Sequence, residues 1–172
     1  MSIAATDLKA YQAANHAEDD SSTQGGAISE TGKMEFTQLA ADDDIEAVSS
    51  NAGDNMNLTI HARSGAGAIV NEVKALNGTT PIIFSVIGVV ERFLKALLAS
   101  AAAGTITIRR SVSGAVIATL EPGILRVRIF FYDSVSGASQ KIFYEKFFWK
   151  NAHGTLTLTT ATMKLTADPA AI

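Results

Sequence analysis

Three histidines, His16, His61 and His153, are the only ordinary general bases for proton transfer near neutral pH in this 172-residue chain. They stand far apart in sequence, in an acidic tract, a strand-like run and a turn, and no His-x-His or His-Glu-x-x-His spacing joins any two of them. Many serines are present, yet no Gly-x-Ser-x-Gly elbow presents one as a nucleophile. The chain has no cysteine, which removes thiolate nucleophiles, disulfides and every Cys-based zinc or iron–sulfur site. Two acidic clusters, Glu18-Asp19-Asp20 and Asp42-Asp43-Asp44 with Glu46, offer oxygen ligands to Ca²⁺, but neither has the Asp-x-Asp-x-Asp-Gly loop spacing. The simpler reading makes them solvated loops, the second guarding the strand that starts near Ile45 against aggregation. No catalytic residue, cofactor or metal is therefore expected.

Residue types that bind are more abundant than residue types that react. Arg109-Arg110, Arg126 and Arg128 form the most concentrated basic set, and a period of two puts Arg126 and Arg128 on one face of their strand. A net charge of −3 weakens the case for nucleic acid, whose affinity rests on a basic surface, and favours an acidic neighbouring subunit or plain solvation. Phe130, Phe131, Tyr132, Phe143, Tyr144, Phe147, Phe148 and Trp149 concentrate eight of the twelve aromatics in two neighbouring runs. On the second run Phe143, Glu145, Phe147 and Trp149 share one face, while Ile142, Tyr144, Lys146, Phe148 and Lys150 share the other. Aromatics on both faces suit a partner interface, a carbohydrate platform or a strand buried on both sides.

The elements that must position these groups are short β-branched runs cut by Gly, Asn and Ser turns. In Asn55-Met-Asn-Leu-Thr-Ile-His-Ala-Arg63 the residues Met56, Leu58, Ile60 and Ala62 alternate with polar ones, the signature of a half-buried strand. Further runs cover 34–39, 45–50, 69–76, 105–109, 116–120, 125–132, 141–149 and 155–165, with Ser64-Gly-Ala-Gly67, Asn77-Gly78 and Ser111-Val-Ser-Gly114 as turns. Asn51-Ala-Gly-Asp54 suggests a hairpin between the runs on either side of it. Residues 86–100 fit two elements: apolar 86, 87, 89, 90, 93, 94, 97 and 98 suit a short helix, whereas Gly88, the β-branched residues and the neighbouring strands favour a strand. The expectation is an all-β fold, a β-sandwich or jelly-roll-like double sheet over residues 31–172, with one short helix at 86–100 as the open alternative.

Residues 1–30 read as a flexible N-terminal arm, because few large apolar side chains offset the entropy of ordering them. Tyr11 and Ile28 are its candidate docking anchors, beside a Gly25-Gly26 hinge. Charge is uneven along the chain: residues 1–80 hold four Lys and Arg against twelve Asp and Glu, a formal −8, and residues 81–172 hold ten against five, a formal +5. If the two sets separate in space, copies will attract one another, with Arg109, Arg110, Arg126 and Arg128 near a neighbour's acids and Phe147 and Trp149 adding apolar contact. Interleaved strands would instead mix the charges within one chain. The N-terminus lacks the basic and apolar regions of a signal peptide, and no run of about 18 apolar residues occurs, so a cytoplasmic site of synthesis without membrane contact is expected.

The succession Ile69-Val-Asn-Glu-Val-Lys-Ala-Leu-Asn-Gly-Thr-Thr-Pro-Ile82, the run Ile87–Leu98, Gly104-Thr-Ile-Thr-Ile-Arg109 and Tyr144-Glu-Lys-Phe-Phe-Trp-Lys-Asn151 resemble small all-β virion proteins of tailed bacteriophages. Head-decoration, or cement, proteins are the nearest comparison, and tail and baseplate components share the style. The resemblance spans roughly residues 24–168 and is one of texture, Thr/Ala/Gly-rich strands, rather than a diagnostic motif. It implies a non-enzymatic protein made in the host bacterial cytoplasm that self-associates and binds the major capsid protein on the virion. A tail, baseplate or fibre component with a glycan- or receptor-binding sandwich is the alternative, which the aromatics favour.

Overall fold

The computed structural model describes residue 4 and residues 7–14, 27–129 and 146–157. In chain order the strands are β1 (Leu8–Ala13), β2 (Ile28–Glu35), β3 (Ile45–Ser49), β4 (Asn57–Ser64), β5 (Ile69–Ala75), β6 (Ile82–Ile83), β7 (Val90–Leu98), β8 (Ile106–Arg110), β9 (Val116–Leu120), β10 (Arg126–Ile129) and β11 (Phe147–Asn151). They build two sheets, a seven-stranded one ordered β11-β1-β2-β10-β7-β4-β5 and a four-stranded one ordered β6-β3-β8-β9. Pairing is antiparallel throughout except between β2 and β10, which run parallel. The expected all-β double sheet is the observed architecture.

Alternation dictates what faces inward. Leu58, Ile60 and Ala62 of β4, Ile45 and Ala47 of β3, and Ile106 and Ile108 of β8 are fully buried, while residues between them are less covered. With Phe84, Val90, Phe93, Ala96, Leu120 and Val127 they form one apolar layer between the sheets.

Residues 86–100 contain strand and no helix. β7 pairs with β4 on one side and β10 on the other, and its register against β4 slips twice, between His61 and Ala62 and between Arg63 and Ser64. Leu94 and Glu91 are the extra residues at these bulges. Each bulge shifts the in–out alternation by one, so Val90, Phe93, Leu94, Ala96 and Leu98 all end up buried. An apolar spacing of three and four thus arises in a strand, which is why this run imitates an amphipathic helix. The same device in β9, a slip between Ile108 and Arg109 of β8, buries the adjacent Ile117 and Ala118.

Two local expectations are corrected. Asn51–Asp54 does not close a hairpin, because β3 belongs to the smaller sheet and β4 to the larger, and the chain crosses between layers there. Nor do residues 8–13 and 28–30 form an arm. β1 lies inside the larger sheet, with Ala10 opposite Trp149 and Tyr11 opposite Phe148 on one side, and Tyr11 opposite Lys33 and Ala13 opposite Ile28 on the other. Backbone pairing on both edges supplies what a weakly apolar side-chain set does not, and the boundary placed at residue 30 falls within β2. Residues 15–26, 130–145 and 158–172 lie outside the described residues, and with them His16, Glu18–Asp20, Gly25-Gly26, Phe130, Phe131, Tyr132, Phe143, Tyr144 and most of the run expected at 155–165.

One end of the sandwich is gathered by Asp54. Its Oδ2 accepts from the Ser49 hydroxyl at 2.6 Å and the Gly104 amide at 3.0 Å, and its Oδ1 accepts from the Ala103 amide at 2.9 Å. Its own carbonyl accepts from Gly78 N–H at 2.9 Å. Three inter-sheet crossings, β3 to β4, β5 to β6 and β7 to β8, therefore meet on one residue. Gly78 adopts φ of +54°, and a Cβ there would sit on the Ala52 backbone. The hydrogen bonds from Ser49 and Ala103 hold the Asp54 carboxyl below the usual carboxylate range, with Gly104 adding to them and burial opposing.

A folded pKa below the unfolded value of about 3.9 means this stabilisation is complete above that pH and is lost as pH falls through the lower folded pKa. Thermal melts should show Asp54→Asn lowering Tm at neutral pH and flattening the loss of Tm below about pH 4 relative to the native chain. An unaltered acid limb in Asp54→Asn would show that the carboxylate does not tie the crossings. Gly78→Ala should cost at least about 2 kcal/mol in denaturant unfolding, since both the left-handed backbone and the Ala52 contact resist a methyl group.

Candidate interaction surface

Among the described residues β11 is the outermost strand of the larger sheet, bonded on one side to β1. Alternation along it sends Phe147 and Trp149 to one face and Phe148 and Lys150 to the other, as the sequence pattern requires. On the first face they meet Phe36, which follows β2. The Phe36 and Trp149 rings stack with centroids 5.9 Å apart and planes 11° from parallel, and Phe147 stands edge-on to both, 5.9 Å from Phe36 and 5.8 Å from Trp149. Ala10 separates the two outer strands on this face and presents only a methyl opposite Trp149, leaving room for rings to meet across β1. Phe36 is 50% exposed and Trp149 41% exposed, so the cluster is a partly solvated aromatic surface. Sequence reading found Phe147 and Trp149 but missed Phe36, whose signal was its place in the alternation with Met34.

The opposite face of the same strands is held by charge. Lys150 Nζ lies 5.8 Å from the Tyr11 ring and donates to Glu30 Oε2 at 2.7 Å, which raises the lysine pKa. Tyr11 packs against the core, and Ile28 opens β2 opposite Ala13. These two candidate anchors are thus parts of the sheet. Lys33 crosses to the smaller sheet, donating to Thr119 Oγ1 at 2.9 Å and to Glu121 Oε1 at 3.2 Å, with Lys9 3.4 Å from the same oxygen. Burial alone would raise the Glu121 carboxyl, but Lys33 and Lys9 bring it below its ordinary value.

The arginines are used within the chain. Arg109 Nε donates to Glu46 Oε1 at 2.6 Å, and Arg110 Nε donates to Asp43 Oδ2 at 2.9 Å. For Arg109 and Arg110 the acids expected on a neighbouring subunit are therefore the chain's own: β3 and the loop before it bring acids of the first half beside bases of the second, so among the described residues the two sets of charge mix. These pairs also turn Asp43 and Glu46 away from any cation site. Arg126 Nη2 donates to Ser29 Oγ at 3.0 Å, and its stem lies over Gly32, where a Cβ would come within 2.7 Å of Nε. A cavity of about 170 Å³ beside it is lined by Gln12, Lys95, Leu97, Arg126 and Arg128.

His61 sits on β4 with its pKa lowered by burial and then by Lys95, both of which disfavour the charged imidazolium. His153 Nδ1 accepts the amides of Thr155 at 3.2 Å and Leu156 at 3.0 Å, the work of a turn. Among the described residues no three His, Asp or Glu side chains converge where a metal ion could sit. What the geometry offers is a contact surface: an aromatic cluster at one sheet edge. No family model, no curated protein and no solved structure matches the chain.

Asp43 is nearly buried, and its two oxygens take Arg110 and the Asp44 amide. Asp43→Ala leaves a largely buried guanidinium unpaired and should cost about 3 kcal/mol in equilibrium unfolding, against a much smaller cost for Glu30→Ala, whose pair with Lys150 is exposed. Equal costs for the two would mean that burial does not distinguish them.

Proposed function

We propose that this chain is a non-enzymatic structural protein of a bacteriophage virion, a head-decoration protein that binds between capsid subunits through the aromatic end of its larger sheet. The observation that carries the reading is the Phe36–Trp149 stack with Phe147, large flat apolar surface packed ring against ring beside the outermost described strand and half open to solvent. Rigid aromatics of this kind supply much contact area at little entropic cost, and such residues dominate the energetics of protein interfaces. Arg109 and Arg110 are paired with acids of their own chain, which favours this patch over them as the anchor for the major capsid protein. Synthesis in the host cytoplasm and residence on the particle follow from the same reading.

The same rings carry a second reading, a glycan- or receptor-binding sandwich of a tail or fibre, because a sugar ring stacks on an exposed indole. Immunogold labelling of purified particles from the source phage, together with rebinding of the purified chain to stripped particles, tests both. Labelling distributed over the head, and an occupancy that falls at least about tenfold in Trp149→Ser with Tm nearly unchanged, is the expected result. Labelling confined to the tail with Trp149-dependent glycan binding favours the second reading. Absence of the chain from the particles ends both.

A further inference from the structure

β5 ends the larger sheet on the other side, and among the described residues no strand pairs with its outer side. Its register with β4 pairs Val70, Glu72 and Lys74 with Ala62, Ile60 and Leu58, and the flanking bonds Ser64 N to Ala68 O and Leu76 N to Met56 O put the even-numbered residues in the bonded positions. The N–H and C=O groups of Ile69, Asn71, Val73 and Ala75 consequently point away from the sheet. All four residues are exposed. Ile69 and Val73 are each 54% exposed on the outer face of the sheet, and Ile83 and Val86 are exposed beside its other face, where Lys74 reaches the Ile83 carbonyl and Glu72 the Val86 amide. A free ladder flanked by branched aliphatics is a template for another strand.

Charge selects that strand. Glu72 has a 5% exposed side chain, and its Oε2 accepts from the amides of Val86 at 2.8 Å and Ile87 at 3.1 Å. Its Oε1 lies 3.2 Å from Lys74 Nζ but accepts no well-directed hydrogen bond. If a second β5 pairs antiparallel with the first, an axis at Glu72 opposes two glutamates, one at Lys74 opposes two lysines, and one at Asn71 sets Glu72 against Val70. Only an axis at Val73 sets each Glu72 opposite the other copy's Lys74 while Asn71, Val73 and Ala75 complete the ladder.

We propose that two copies of this chain pair edge to edge through β5, antiparallel about a two-fold axis at Val73, so that the larger sheet continues from one copy into the next. The contact is isologous and closes after two copies, which blocks further strand addition at that edge. In so far as the aromatic surface is the particle anchor proposed above, the dimer carries one anchor at each far end of the joined sheet, and binding becomes bivalent.

Sedimentation equilibrium of the full chain from low micromolar to near millimolar concentration reads the proposal directly. A monomer–dimer equilibrium is expected, with the dissociation constant raised at least about tenfold in Val73→Lys, which brings two cations face to face across the axis. Val73→Pro serves as the second variant, because the N–H it deletes is not used by β4 and so only the intermolecular bond is lost. Since the chain has no cysteine, Val73→Cys should be joined into a covalent dimer by a short bismaleimide, while Val112→Cys, at an exposed position between β8 and β9, should not. Circular dichroism and Tm confirm that each variant folds. A chain that is monomeric over the whole range, or a dimer that survives both Val73→Lys and Val73→Pro, overturns the proposal. Trp149→Ser should remain dimeric, so a failure of the particle-binding reading leaves this result standing on its own.

Discussion

Asp54 is the constraint on which the two-layer arrangement depends. A sandwich whose strands change sheet repeatedly must return the chain from layer to layer at its ends, and each return leaves backbone amides without ladder partners. Here one carboxylate and its own carbonyl collect the donors of three returns. The amides of Ala103 and Gly104 come from a segment about fifty residues beyond Asp54, so the group closes a long loop as well as satisfying donors. Gly78 and Gly104 permit the close approach: a Cβ at either would run into the 50–52 backbone or its side chains.

Between the ends, the layers are joined by apolar contact at the centre and by ion pairs at the margins. Phe93 and Leu94 both face the core because a bulge rotates the strand between them, which increases local twist and lets β7 pair with β4 and β10 at once. Lys33 reaches from β2 to Glu121 across the gap, and Arg110 ties β8 to Asp43 beside the bridge between Asp43 and Val90. Charges placed this way stabilise through geometry and partial burial, and they leave less basic surface for partners.

Its two sheet edges divide the exterior into unlike surfaces. The β11 end carries rings that touch one another across β1, whereas the β5 end carries aliphatics beside a row of backbone donors and acceptors that no described strand takes up. An interface that uses rings recognises shape, while one that uses a ladder recognises a strand. Both lie on one sheet, so what binds at one edge is held in fixed relation to the other.

Much of this was legible in the residues alone. Alternation in 55–63 placed Leu58, Ile60 and Ala62 inside, Gly-rich turns marked the β4–β5 and β8–β9 hairpins, and the separation of Phe147 and Trp149 from Phe148 and Lys150 followed from a period of two. These are local properties, set by backbone geometry within a few residues. What lay beyond the sequence was non-local: which sheet each strand joins, so that the turn after β3 became a crossing; the bulges, which disguised β7 as a helix; and the partners of the charges, so that Arg109 and Arg110 met Glu46 and Asp43 of their own chain. Composition likewise described residues 8–13 as too weakly apolar to order, and that is true of the segment by itself. Only the tertiary structure supplied the ladders on either side of β1, because hydrogen bonds to strands far away in sequence depend on register and not on composition.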